Sequence, residues 1–167
     1  MNKLIIIAAI GKNGELGLNN NLIWHIKGDM KFFKEHTMGH HVFMGKNTFN
    51  SLPKMLPGRT HVVLSKSLEQ NNLPKEVILL RSLDEFYNYV KNVDDDVYVI
   101  GGAKVYGEMI NNVDAMYLTE IDSECLDADA YFPSFKKEDW QKQVLEEHSE
   151  TIPSYKHVLY KKRKKVY

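Results

Sequence analysis

Apolar residues run without a break from Leu4 to Ile10. Such a run suits a strand covered on both faces, at the centre of a parallel sheet, better than an alternating, half-exposed strand. The segment from Gly11 to Asn21 is rich in glycine and asparagine, with Leu16 and Leu18 interspersed and Leu22 just beyond. It reads as a long loop that still packs against something, and loops of that length usually carry function. Helical spacing follows from Asp29 to Thr37, with Met30 and Phe33 on one side and Gly39 placed to end the helix. His41 to Met44 resumes as a strand, and further strands are expected at Thr60 to Leu64, Val77 to Leu80, Val97 to Ile100, Met116 to Ile121 and Lys156 to Lys162. Ser82-Leu83-Asp84-Glu85 has the pattern of a capping box and predicts a helix through Lys91. Strands alternate with helices as far as Gly107, and strands dominate beyond it. The expected fold is therefore α/β, with a mixed, mostly parallel central sheet of about eight strands and about four flanking helices. One domain over residues 1–167 accounts for the whole pattern.

Charge narrows the possible partners. The 22 lysines and arginines balance the 22 aspartates and glutamates, so no long-range field gathers polyanions, and nucleic acid is a poor first guess. The basic run Lys161-Lys162-Arg163-Lys164-Lys165 reads as a solvated tail. A single cysteine, Cys125, cannot form an internal disulfide and is read as structural, and the N-terminus lacks the ordered regions of a signal peptide. Together with the absence of any apolar stretch of membrane-spanning length, this leads to the expectation of a cytoplasmic monomer.

Four constellations can carry chemistry. In the first, Leu22-Ile23-Trp24-His25-Ile26-Lys27-Gly28-Asp29, Asp29 shares a helix face with Phe33 four residues on. A carboxylate accepts hydrogen bonds in pairs, which suits a flat heterocycle presenting an amino group beside a ring N–H, while an aromatic neighbour packs the ring face. Taken alone, Asp29 is as readily a helix-start carboxylate stabilised by the macrodipole. The second is strand His41 to Met44 followed by Gly45-Lys46-Asn47-Thr48, and the third is Val97 to Ile100 followed by Gly101-Gly102-Ala103-Lys104-Val105-Tyr106. Each is a strand, glycine and helix start of the kind whose free amides bind phosphate, although each could be an ordinary turn. The third lacks the G-x-G-x-x-G spacing of a dinucleotide fingerprint. The fourth is Leu56-Pro57-Gly58-Arg59 with Ser65, Lys66 and Arg81. Arg59 can pair with a carboxylate, and the other three can hold a phosphate monoester. His40 and His41 should point to opposite faces of a strand, and His36 and His40 straddle a helix end, so no metal site is expected.

Taken in order, these segments resemble the dihydrofolate reductases across nearly the whole chain. The resemblance is carried by Ile7-Ala8-Ala9, the loop around Gly17, Trp24 with Asp29, Met44-Gly45-Lys46-Asn47-Thr48, Leu56-Pro57-Gly58-Arg59, Ile100-Gly101-Gly102, Leu118-Thr119, and Asp129 before Phe132-Pro133. It implies NADPH-dependent reduction of dihydrofolate, and binding of antifolate-type small molecules in the same slot. By that resemblance Asp29, helped by Thr119, pairs with the pterin 2-amino group and ring nitrogen. Ile7, Ala8, Leu22, Met30, Phe33, Leu52, Leu56 and Ile100 line an apolar slot, and Arg59 binds the glutamate tail with Lys54 at its edge. Leu22, Trp24 and Tyr106 would join Asp29 and Thr119 around the reacting ring. The cofactor would contact Ala9, Leu16, Gly17, Asn20, Gly45, Lys46, Asn47, Thr48 and Leu64, then Gly101, Gly102, Ala103, Lys104, Val105 and Tyr106. Lys46, Ser65, Lys66 and Arg81 would favour NADPH over NADH, with the adenosine side held by residues 40–110. A cis peptide at Gly101-Gly102 is also implied.

Three positions depart from the family pattern. Ile23 stands where proline is common before the tryptophan, Ala103 replaces a third glycine, and Ala128 replaces the glycine before Asp129. Ile23 removes a fixed φ, and Ala128 adopts positive φ less cheaply than glycine, so these changes bear on loop closure and leave the hydride-transfer chemistry untouched. At Asp29 burial and the helix N-terminus act in opposite directions on the pKa, and burial is expected to win. Two other functions fit parts of the pattern. One is an NADPH reductase of a riboflavin-pathway pyrimidine, and the other a non-catalytic nucleotide-binding module. Neither explains Asp29, Phe33 and Arg59 together.

Overall fold

The computed structural model describes residues 3–164. The apolar run forms β1 (Leu4–Ile10), in which Leu4 and Ile6 join the core on one face of the sheet while Ile5 and Ile7 join the core on the other. A strand buried on both sides has no polar face to offer, which is why the sequence does not alternate there. After it come β2 (Glu15–Leu18), β3 (Asn21–Leu22), α1 (Lys27–Thr37), β4 (His41–Gly45), α2 (Lys46–Ser51), β5 (Thr60–Leu64), β6 (Ile78–Leu80), α3 (Leu83–Lys91), β7 (Val97–Gly101) and α4 (Ala103–Met109). The chain ends with β8 (Ala115–Ile121), β9 (Ala130–Tyr131), β10 (Trp140–His148) and β11 (Tyr155–Lys162).

The central sheet has eight strands in the order β10-β11-β8-β1-β7-β4-β5-β6. All pairings from β8 to β6 are parallel, and β11 runs antiparallel to both β8 and β10. The mixed, mostly parallel sheet and four α-helices match the expected α/β class. On one face the core is built around Phe43, Phe86, Val99, Val105 and Met109, with Phe43 and Phe86 stacked at 3.7 Å between ring centroids. On the other face Phe32, Val42, Met44, Val63 and Tyr98 pack together, joined by the half-buried Phe33, Leu52, Leu56 and Ile100.

Several local expectations need correction. The segment after β1 is not all loop, because β2 pairs with β3 and β9 in a separate three-stranded sheet. Helix α1 starts two residues earlier than its apolar spacing suggests, at Lys27. The nine-residue β10 escaped the sequence pattern because it is an edge strand whose residues after Trp140 are almost all exposed. Its lysines and glutamates discourage pairing with another chain. His40 lies just before β4, free of strand alternation, so His40 and His41 both reach Asp95, at 2.6 and 2.7 Å. Lys161 and Lys162 belong to β11, and Lys162 reaches the Asn111 carbonyl and lies over the Trp140 ring. The run is thus no tail up to Lys162, and its last member, Lys165, lies outside the described residues. None of the described helices is long and apolar enough to cross a membrane.

Ser82 caps α3 as expected, its hydroxyl accepting from the Glu85 amide at 3.1 Å. Glu85 reaches back one residue further than a capping box requires, to the amide of Arg81 at 2.6 Å. Ser82→Ala should cost about 1 kcal/mol by leaving a helix amide unpaired. For a chain of this length the melting temperature should fall by roughly 2–4 °C, measured by circular dichroism.

Candidate active site

Three strands and a helix converge on Asp29. It lies in the first turn of α1, and α1 can approach β11 closely only because residue 28 is glycine. A Cβ there would stand 2.0 Å from the Tyr155 hydroxyl. Thr119, on β8 beside Ala9 of β1, donates its hydroxyl to Asp29 Oδ1 at 2.5 Å. Thr119 has one proton to give, so its oxygen can only accept from His157 Nδ1, which lies 2.8 Å away on β11. This fixes the imidazole with its hydrogen on Nδ1 and leaves Nε2 bare. His157 is buried and stacks on Phe32 at 3.9 Å between centroids, nearly parallel. Burial pulls its pKa down to about 4, so it is neutral at physiological pH.

Asp29 itself is pushed above the ordinary aspartate range by burial, against which the Thr119 hydroxyl pulls the other way. The upward direction is the one expected from burial, although the opposing pull comes from Thr119 and not from the helix N-terminus. The Asp29 side chain is half-buried at 24% exposure, and Met30, next to it on α1, and Leu22, at the end of β3, leave 57% and 59% of their surface exposed. Phe33, Leu52, Leu56 and Ile100 form the apolar group on the same face of the sheet, and Ile7 is part of the buried core there. Lys54 is exposed. Arg59 is half-buried, donating from Nε to the Pro57 carbonyl at 3.0 Å and from Nη1 to the Thr37 hydroxyl at 3.2 Å.

The two strand, glycine and helix junctions lie side by side, because Met44 of β4 is paired with Gly101 of β7. A Cβ at Gly101 or Gly102 would stand 3.2 or 3.3 Å from Thr48 Oγ1 of α2, and one at Gly45 would stand 3.2 Å from Val105 of α4. Both helix starts thus lie close together, the Thr48 and Val105 side chains packed over the glycines. The peptide between Gly101 and Gly102 is cis, as the resemblance implied, and Gly101 has a φ of +133°. The Tyr106 hydroxyl, fully buried, donates to the Ile7 carbonyl at 2.8 Å and ties α4 to β1.

The basic group around β5 is also assembled. Lys46 Nζ reaches Ser67 Oγ at 3.1 Å. Ser65 accepts from the amides of Ser67 and Leu68, at 3.2 and 3.1 Å. Arg81 donates from Nη1 to the carbonyls of Ser65 and Leu68, which fastens this loop to the end of β6. Lys66 and Lys104 are exposed.

Three residues of this region carry no signal in the local sequence pattern: Glu15, Thr37 and His157. Glu15 is buried and accepts the amides of Asn13 and Cys125, both at 2.7 Å, which joins the loop after β1 to the segment before β9. Thr37 orients Arg59. His157 could have been flagged as a polar residue on the inward face of β11, between Tyr155 and Leu159. In the loop, Gly17 accepts the Asp129 amide at 3.0 Å, and Asp129 in turn accepts the Asn19 amide at 3.0 Å. Positive φ values fall at Asn19 and Asn20, not at Ala128, so alanine introduces no strain there.

The raised pKa of Asp29 has a consequence for stability. A carboxyl that binds its proton more tightly folded than unfolded costs stability once pH exceeds both values, and costs nothing below the unfolded value. Asp29→Asn should therefore melt higher than the parent at pH 7. The gap should close as pH falls through the folded and then the unfolded pKa, which thermal melts over a pH series will check.

Comparison with known proteins agrees with this geometry. A family model described as dihydrofolate reductase matches residues 3–163. The dihydrofolate reductase of Haemophilus influenzae is 35% identical over 136 residues, covering 81% of this chain and 82% of that protein. That of Staphylococcus aureus strain MSSA476 is 34% identical over 165 residues, covering 95% and 99%. Among solved structures, the dihydrofolate reductase of Enterococcus faecalis complexed with NADP(H) and RAB-propyl superposes with a TM-score of 0.84. It is 26% identical and covers 97% of each chain. A family match over residues 3–163, supported by relatives at 34–35% identity over most of both chains, places the chain in the dihydrofolate reductase family.

Proposed function

We infer that the protein reduces 7,8-dihydrofolate to 5,6,7,8-tetrahydrofolate with NADPH, the step that sustains one-carbon transfer. The observation that carries this reading is the carboxylate of Asp29, half-buried, its pKa raised by desolvation, bound by Thr119 and adjoining the exposed Met30. A desolvated carboxylate needs hydrogen-bond donors, and the amino group and ring N–H of a pterin supply two in one plane. Ile7, Ala8, Met30, Phe33, Leu52, Leu56 and Ile100 would hold the ring, and Arg59, aimed by Thr37, would pair with the carboxylate of the glutamate tail, with Lys54 nearby.

The paired helix starts of α2 and α4 fit the cofactor pyrophosphate, because glycine at 45, 101 and 102 lets the two come close together. Gly45, Lys46, Asn47 and Thr48 would face it from one side, and Gly101, Gly102, Ala103, Lys104, Val105 and Tyr106 from the other. Lys46, Ser65, Lys66 and Arg81 would receive the 2′-phosphate of NADPH beside Leu64, and residues 40–110 would hold its adenosine side. Ala9, Leu16, Gly17 and Asn20 would cover the nicotinamide end. When bound, the nicotinamide supplies hydride from C4 to pterin C6 as N5 gains a proton. The chain aligns the two rings and excludes water, Asp29 favours the protonated pterin by its charge, and water beside Leu22 and Trp24 delivers the proton.

Loss of NADPH absorbance on adding dihydrofolate tests this reading, and no loss with a riboflavin-pathway pyrimidine separates it from a related reductase. Asp29→Asn should fold yet turn over more slowly by a factor on the order of 10². Its pH–rate profile should also lose the inflection that the parent shows above the ordinary aspartate value. Near-normal activity in that variant would sink the assignment. Arg59→Gln should raise the KM for dihydrofolate by about 10- to 100-fold through loss of a charged hydrogen-bonded pair, with kcat little changed.

A further inference from the structure

The outer strand pair carries a group of ionisable side chains of which only His157, through Thr119, reaches the dihydrofolate site. Glu146 and His148 lie two residues apart on β10 and project from the same face, and Glu146 is the register partner of His157 on β11. One potential ligand atom from each of the three lies within 4.8 Å of those of the other two. Two imidazoles and a carboxylate on adjacent strands, with positions fixed by the ladder, are a donor set suited to a divalent ion of borderline softness.

The hydrogen bonds of the two histidines point the same way. His157 gives its Nδ1 hydrogen to Thr119, which leaves an unprotonated Nε2 that no described residue hydrogen-bonds, in a side chain only 1% exposed. With Nδ1 turned toward β8, the opposite edge of the ring faces β10, where Glu146 stands. His148 repeats the pattern, with Nδ1 3.2 Å from Glu150 Oε1 and Nε2 3.0 Å from Glu146 Oε2. An imidazole that donates from one nitrogen to a carboxylate or hydroxyl and turns the other into a cluster is held as metal-binding histidines are held.

We propose that Glu146, His148 and His157 bind one Zn²⁺ ion, through the two Nε2 atoms and a Glu146 carboxylate oxygen, with water completing a tetrahedron. Bonds of about 2.0–2.1 Å place tetrahedral ligands roughly 3.4 Å apart, so the three side chains must draw together by on the order of 1 Å. Glu146 is exposed and can move freely, and His148 can shift by sliding on the Tyr155 ring it stacks against at 4.6 Å, while His157 stays in place against Phe32. One imidazole then serves two sites, facing the ion on one edge and the hydroxyl that holds Asp29 on the other.

The test uses the untagged full chain, stripped with a chelator and titrated with Zn²⁺ by calorimetry, then with Co²⁺ while the visible absorption of tetrahedral cobalt is followed. The parent should take up one equivalent of each. His148→Ala should weaken uptake by about 100-fold, and Glu150→Gln, which touches only His148, by about 10-fold. His148→Ala should keep the parent's dihydrofolate turnover in metal-free buffer, which shows that it is folded. Absence of saturable one-equivalent uptake in the parent overturns the proposal. So does uptake retained in His148→Ala, including uptake lost only when His40 is replaced, which would place the ion at the His40, His41 and Asp95 group instead.

Discussion

A carboxylate partly withdrawn from water governs the organisation of this molecule. Removing Asp29 from solvent is unfavourable, and the chain offsets that cost only in part, with the Thr119 hydroxyl on one oxygen and the buried His157 behind it. The side chain keeps 24% of its surface open, and no described residue donates to its second oxygen. A charge left short of partners in an apolar setting selects a ligand that brings donors and a flat face together. The same desolvation strengthens any field that the carboxylate exerts on a bound ring.

The sheet makes this arrangement rigid. Thr119, Ala9 and His157 are neighbours across β8, β1 and β11, so their spacing follows from ladder registers rather than from loops. Parallel strands β1, β7 and β4 end together, and the glycines at their carboxyl ends let α2 and α4 start close together. Tyr106 binds α4 to the backbone of β1 at Ile7, which ties the glycine junctions to the strand that runs beside Thr119. The covered sheet thus provides both the two halves of the site and their separation.

Much of this was legible in the sequence, and the rest was hidden for definable reasons. Strands buried on both faces announce themselves as unbroken apolar runs, so β1, β5 and β7 were visible, and the Ser82 cap gave the start of α3. Strand β10 was not visible, because an exposed edge strand is selected for charge rather than for alternation. Asp29, Arg59 and the glycine junctions stood out through the order in which they occur. Glu15, Thr37 and His157 did not, since each acts on a residue far away in the chain: Glu15 holds the Cys125 amide 110 positions on, and His157 meets Thr119 38 positions back. Contacts of that range belong to the fold and leave no local spacing to read.

Arg81 illustrates how much one basic residue can be asked to do. Its guanidinium holds two carbonyls of the loop that follows β5 while its own amide is held by Glu85 at the start of α3. A designer wishing to convert the enzyme to the unphosphorylated dinucleotide would naturally remove positive charge here. Doing so at Arg81 would release the carbonyls of Ser65 and Leu68 and slacken the loop that carries Ser65 and Ser67. Lys46 and Lys66, by contrast, are exposed and hold no backbone in the structure, so their charge can be removed without loosening the loop.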